Sequence, residues 1–401
     1  MSKKFWPLIV VILVAAFVLA ACGPSAADTK GKVVLWHSKK PEETNSLNMI
    51  IDAFKAKYPN TTVEVLFVPD ADLRNKFETA VASGSGPTLL IGPADWGPAS
   101  FDAQLVADIS KMVDQKLLGT INDAALASVK YKDAIVGLPI NIKGVVLFRN
   151  KAIIPNPAAT LDELVANSKA ATQGDVLGAN LEVGFFFSAG HLGAVGGTLL
   201  DAEGKPMFND AKGAEWMEVL KKFKEAGPVE NYTDNDVNLF KAGKVGYIID
   251  GSWNAKALAD AIGADNLVID TWPEMMSGYV QNDNIYLTTV ATGDDAVASE
   301  KFMEFFLSPE AQTFWSEVGT AEKPMAAGIP AIKGLDVKDP IAKMAIAAFD
   351  KGVAFPVIPQ MGAYWDPMNN AIKKVLDEGT DAAAALTEAF DAVTAKLAEM
   401  K

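Results

Sequence analysis

Two rhythms of apolar and polar positions run along this chain. Short apolar runs bounded by polar or turn residues read as strands: KVVLW at 32–36, TTVEVLFV at 61–68, TLLIG at 88–92 and VGYII at 245–249, the last closed by a turn at Asp250-Gly251. Between them apolar side chains recur at helical spacing. Leu47, Ile50, Ile51, Phe54 and Tyr58 share one face, and Leu73, Phe77 and Val81 share another. Helix starts are marked. Thr160 with Glu163 makes a capping box. Ser308 and Asp366 are N-cap candidates, each followed by proline at the first helical position. Asp210 precedes a helix carrying Trp216, Val219, Leu220 and Phe223, the polar run Asp234 to Asn238 reads as a helix start, and an Ala-rich helix covers about 381–398. Strands alternating with helices predict an α/β fold.

The first 22 residues follow neither rhythm. Lys3 and Lys4 precede an almost wholly apolar Phe5 to Val18, and Leu19-Ala20-Ala21-Cys22 follows. This resembles a bacterial lipoprotein signal, cut before Cys22, whose thiol is then lipidated. The alternative is an uncleaved anchor, but Phe5 to Ala21 is short for a span and contains Pro7. Cys22 is the only cysteine, which excludes disulfides and cysteine-metal chemistry within the chain. Residues 23–31, GPSAADTKG, read as a flexible tether. What remains is too long for one compact core, so two lobes are expected. The formal charge of −14 argues against nucleic acid as a partner and against lying flat on anionic lipid, leaving the lipid on Cys22 to do the anchoring. The expected location is extracytoplasmic, lipid-anchored in the periplasm or at the cell surface.

Eight tryptophans sharpen the picture. Trp6 leaves with the signal, and Trp216 and Trp315 lie in helices as packing. The other five fall at element ends: Trp36 after VVL, Trp96 after LLIGPAD, Trp253 after GYIIDGS, Trp272 after LVIDT, and Trp365 before Asp366-Pro367. In open α/β sheets ligands bind beyond the carboxyl ends of strands. Indole offers a flat apolar face and one N–H, which complements a sugar ring with a C–H face and a hydroxyl rim. Trp96, Trp253 and Trp365, each beside a turn residue and a polar group, are therefore candidates for one sugar-stacking crevice, while Trp272 reads as packing.

The motifs resemble those of the sugar-binding subunits of bacterial ABC importers, extracellular solute-binding proteins of the maltose/maltodextrin-binding type. KVVLWHS, FKAKYPNTTVEV, GSGPTLLIGPADWG, GLPINIKGVVLFRNKAIIPNPAATLDEL, FKAGKVGYIIDGSWN, FFLSPEAQTFW and IPQMGAYWDPMNNAI carry the resemblance, in order, across essentially the whole chain after the tether. It implies a two-lobe, periplasmic-binding-protein-like (type II) α/β fold. The first lobe would be 32–141 plus 279–328 and the second 142–278 plus 329–401. PINIKG and SGYVQN would be hinge crossings, with Pro139, Gly144 and Gly278 absorbing backbone change. By position it implies that Trp253 and Trp365 stack on sugar, that Phe186 and Phe187 form an aromatic pair beside it, and that Asp95 binds hydroxyls. Three positions depart from the family pattern. Lys143 stands where it has an acidic hydroxyl-binding residue, Trp96 where it has a basic one and Gly92 where it has an aromatic, so Trp96 would replace the aromatic lost at Gly92. Further contact candidates are Trp36, His37 and His191, with Asn254 and Gln281 as weaker polar ones; ordinary surface or core roles compete for each.

The function expected is capture of a maltodextrin-like oligosaccharide by hinge closure and delivery to the membrane permease of an ABC importer, by a monomer without cofactor, metal or catalytic residues. Two widely separated histidines and no free thiol argue against a transition-metal site. The competing readings are an extracellular glycoside hydrolase with paired carboxylates and a binding protein for a non-sugar solute such as a polyamine or metal chelate. No G-x-S-x-G, H-E-x-x-H, Walker A or G-x-G-x-x-G pattern supports an enzyme.

Overall fold

The structure is a computed structural model, and it describes residues 28–39, 41–201, 203–316 and 329–400. The signal, Cys22, most of the tether and the end of the 279–328 segment lie outside the described residues. Among those described, no helix is long and apolar enough to cross a membrane.

Two sheets organise the chain. The first is ordered Thr61–Phe67, Gly31–His37, Leu89–Pro93, Asp283–Leu287, Leu138–Pro139. Its first three strands are parallel, and Asp283–Leu287 runs against them. Alternation sends Val33 and Leu35 to one face, against Leu47, Ile50, Phe54, Phe302 and Trp315, and Trp36 to the other, against Leu73, Phe77 and Val81. The helical spacings of the sequence thus fill both faces of this sheet.

The second sheet is built on Asn141–Asn150. Val245–Gly251, Leu267–Asp270, Tyr279–Gln281 and Ile329–Pro330 all pair with it antiparallel, and Val353–Ala354 and Leu177–Ala179 extend the edges. Helices cover both faces. Trp216, Leu220 and Phe223 of Ala211–Ala226 pack on one, and Phe240, Leu258, Ile341 and Ala348 on the other. Among the described residues the chain passes between sheets at two short steps, from Pro139 to Asn141 and from Gln281 to Asp283, and it is back in the second sheet at Ile329. Tyr279–Gln281, placed by resemblance in the first lobe, therefore pairs with the second sheet.

Most helix starts fall where the caps stand. Thr160 Oγ1 accepts from Glu163 N at 3.2 Å, while the Glu163 carboxylate takes Ala159 N at 2.7 Å, one residue before the cap. Asp210 accepts from Lys212 N and Gly213 N, and Ser308 Oγ from Ala311 N. Asp366 is not a cap. A 3-10 turn, Pro359–Ala363, feeds directly into the helix Trp365–Leu376, Tyr364 O accepts from Met368 N, and the Asp366 carboxylate instead pairs with Lys396 Nζ at 2.7 Å. Asp250-Gly251 is not a turn either. The strand runs on through Gly251, which pairs with Val145, and Trp253 lies in the short 3-10 helix Ser252–Asn254.

Pro139, Gly144 and Gly278 were expected to supply hinge freedom. Neither glycine has a positive φ. Each marks a close approach: a Cβ on Gly144 would sit 2.6 Å from Tyr279 O, and one on Gly278 would sit 2.4 Å from Val145 O. The crossing strands are glycine-bearing because they touch.

Candidate functional site

A cavity of about 380 Å³ opens between the two sheets at the crossings, within the common size of small-molecule clefts, about 300–1,000 Å³. The second lobe supplies an apolar wall of Trp253, Trp365, Phe186 and Phe355. Phe186 is its centre: its ring lies 6.4 Å from Trp365 at 20°, 6.3 Å from Trp253 at 35°, and 5.6 Å from Phe355. The first lobe faces it with Trp96, Asp95, Gly92 and Pro93, then Ser38, Lys39, Glu43 and Asp70; Lys143, Gln281 and Asp283 form the floor at the crossings.

Glycines set both indoles. A Cβ on Gly251 would lie 2.0 Å from Cε2 and Cζ2 of Trp253, so this indole folds back onto the bare end of its own strand. A Cβ on Gly92 would lie 2.8 Å from Trp96 Cε3. Trp96 therefore occupies the space that any side chain at 92 would need. Asp250 fixes the Trp253 turn, its carboxylate accepting from Gly251 N at 2.6 Å and from Asn254 Nδ2.

The polar groups differ in state. Asp95 is half-buried; burial raises its carboxyl above the usual value against the pull of a backbone hydrogen bond, Arg74 and Lys143. At Asp283 burial acts in the same direction, but the ammonium groups of Lys143 and Lys39 outweigh it and hold the carboxyl well below the usual range. Lys143 Nζ lies 2.5 Å from Asp283 Oδ1 and 5.2 Å from the centre of the Trp253 ring.

Of the residues named from sequence, Trp253, Trp365, Phe186, Asp95, Trp96, Lys143 and Gln281 meet in this cavity. The others do not line it. Phe187 follows Phe186 on the short helix Phe185–Ser188, where successive side chains point about 100° apart, so it packs behind the wall against Tyr232 and Trp253. Trp36 is in the first-lobe core, under Lys76 Nζ at 5.3 Å from its ring. His37 is buried, its Nδ1 accepting from Lys39 N at 3.0 Å; burial and the charge of Lys39 lower its pKa to about 4, so it stays neutral and shapes the loop that presents Ser38 and Lys39. His191 is fully buried between Phe223 and Trp272, its Nδ1 accepting from Ser277 N, and burial lowers its pKa to about 3. Asn254 is buried against Asp250. Trp272, read as packing, is buried beside His191.

Sequence reasoning missed Phe355, Asp283, Lys39, Glu43, Asp70 and Ser38 in the lining. Phe355 could have been found, lying ten residues before Trp365 in a stretch rich in proline and aromatics. Asp283 carries no local signal, because its partners come from strands and loops distant in sequence. Among the described residues, no group of three or more His, Cys, Asp or Glu side chains is placed to hold a metal ion.

Residues 49–346 match the model of a family described as bacterial extracellular solute-binding protein. The chain is 25% identical to a maltotriose-binding protein of Pyrococcus abyssi over 379 residues, covering 90% of this chain and 79% of that one. It is 26% identical to a maltooligosaccharide ABC transporter solute-binding lipoprotein of Streptococcus pneumoniae over 432 residues, covering 98% and 97%. Its fold is similar to that of the maltose/maltodextrin-binding domain of Bdellovibrio bacteriovorus bound to maltotriose, with a TM-score of 0.78 at 21% identity, over 92% of this chain and all of that one.

Proposed function

The chain belongs to the family of bacterial extracellular solute-binding proteins, and from that premise we propose that it captures a neutral, maltodextrin-like oligosaccharide between its lobes and presents it to the permease of an ABC importer. Among the described residues, the first lobe would be 31–140 plus 282–316 and the second 141–281 plus 329–400. Lipidation of Cys22 holds the protein at the outer side of the membrane as a monomer. It binds and does not hydrolyse.

The observation that carries this reading is the aromatic wall. Trp253, Trp365, Phe186 and Phe355 converge on one cavity and face Trp96 across it. Such surfaces desolvate the C–H face of a sugar, while Asp95, Lys143 and Gln281 at the rim and floor take its hydroxyls. The relatives that bind maltotriose and maltooligosaccharides support the ligand class. A polyamine would demand converging unpaired carboxylates, whereas Asp283 is already tied to two ammonium groups.

The test is calorimetric titration of purified protein with maltose, maltotriose and maltotetraose. Micromolar binding, about −8 kcal/mol, is expected for at least one of them. Trp253→Ala should cost on the order of 2 kcal/mol, roughly 30-fold. Equal affinity in that variant defeats the site, and steady release of reducing ends from the same sugars defeats the non-enzymatic reading.

A further inference from the structure

Asp283 is the best-connected polar group of the cavity and the least exposed. Its side chain is 3% exposed, against 17% for Lys143. Oδ1 takes Lys143 Nζ, while Oδ2 takes Lys39 Nζ and Asn141 Nδ2, and its backbone N donates to Asn141 Oδ1 at 2.8 Å. A carboxylate has about four lone-pair sites, so three donors leave it little capacity for a ligand. The two lysines differ. The Lys39 ammonium is held between two carboxylates, Asp283 and Glu43, the latter at 3.1 Å. Lys143 is tied to Asp283, lies beside the Trp253 ring and lines the cavity.

Asp283 stands at the step where the chain returns to the first sheet, and Lys143 just after the step where it leaves. Two ammonium groups and two carboxylates make the cluster neutral, so it offers hydrogen-bond donors without a net positive field. We propose that Asp283 is a positioning residue that aims Lys143 into the cleft, so that the floor of the site selects uncharged ligands presenting an acceptor oxygen there. The inference deepens the oligosaccharide reading and rests on it. A lysine on its flexible four-carbon stem is a poor specific donor until something fixes it, and Asp283 does so from the crossing between the two sheets.

The alternative is that Asp283 only neutralises the buried Lys39. A double-mutant cycle separates the two. Maltotriose affinity and Tm are measured for the protein, Lys143→Met, Asp283→Asn and the double variant. Each single change should weaken binding roughly 10-fold, as for a hydrogen bond to a charged group, and the double variant should bind no more weakly than Lys143→Met alone. A fall in Tm with unchanged affinity in Asp283→Asn, or effects that simply add, overturns the proposal. Should Asp283→Asn not fold, Asp283→Glu keeps the charge but displaces the carboxylate. It should bind several-fold more weakly at near-unchanged Tm, and unchanged affinity overturns the proposal. If Lys143→Met binds normally while Trp253→Ala does not, only the role of Asp283 falls. If Trp253→Ala also binds normally, the oligosaccharide site falls with it.

Discussion

At the scale of single residues, two glycines decide where the indoles of the cleft lie. Gly251 and Gly92 have no positive φ, so their identity is set by space. The Trp253 and Trp96 rings fill the volume of the missing side chains. Gly251→Ala should push the Trp253 indole off its strand end, and overpacking of this kind costs about 1–3 kcal/mol. Maltotriose affinity should drop roughly 10-fold, with the far-UV spectrum unchanged, because backbone pairing with Val145 survives. Wild-type affinity in Gly251→Ala would mean that the indole position is immaterial. The same logic bears on Gly92→Ala: the methyl displaces Trp96 and should reproduce the affinity loss of Trp96→Ala. The bare strand position at Gly92 and the large side chain at Trp96 thus share one volume, since a Cβ at 92 would lie 2.8 Å from Trp96 Cε3.

Among elements, the strand Val245–Gly251 and its neighbours enclose an unusual group of carboxylates. Glu182, Glu230, Asp236 and Asp250 are all buried. Glu182 accepts from Gly184 N and Tyr232 N, and Tyr232 Oη in turn accepts from Phe186 N, so this group props the aromatic wall from behind. Burial, with Asp250 and Glu230 nearby, raises Glu182 to about 7, and burial with Asp250, Glu182 and Glu230 raises Asp236 to about 8. The folded protein therefore keeps protons that the unfolded chain has released, and stability is lost as pH rises through these values. The buried histidines act oppositely, their folded pKa values being lowered, and their effect fades above about 6.5, the pH at which the unfolded imidazoles are half charged. Between pH 6.5 and 8, Tm should fall with rising pH, and Asp236→Asn should flatten that slope. A flat profile in the unmodified protein would refute it. None of this could be read from the sequence, in which the four residues are scattered among ordinary acidic positions. Periodicity did place the strands, the helix faces and most caps, since these are set by neighbours in the chain. It failed at Asp366 and Asp250-Gly251, where the adjoining 3-10 turns override local turn chemistry, and at His37 and His191, because polarity in sequence does not reveal burial.

For the whole molecule, the cavity has meaning only as a joint product of two lobes. Trp253, Trp365, Phe186 and Phe355 belong to one sheet's helices and turns, and Trp96 and Asp95 to the other's. The helix Trp96–Asp102 of the first lobe lies against the Pro359–Ala363 turn of the second, so the rims meet in this arrangement. A ligand shifts a conformational balance only by its differential affinity for the two states. On the proposed reading, a sugar held by the second-lobe wall alone would gain nothing from closing, and the gain would come from Trp96 and Asp95 arriving on its far side. Trp253→Ala and Trp96→Ala should therefore fail differently. The first loses the platform and most of the binding. The second retains a wall to stack on, and at saturating maltotriose it should bind yet stay open. Small-angle scattering reads the difference: the unmodified protein should shrink in radius of gyration when maltotriose is added, while Trp96→Ala saturated with the same sugar should not. Full compaction of Trp96→Ala would show that the second lobe's contacts and the crossing strands close the molecule on their own, and that the first lobe is a lid rather than half of the site.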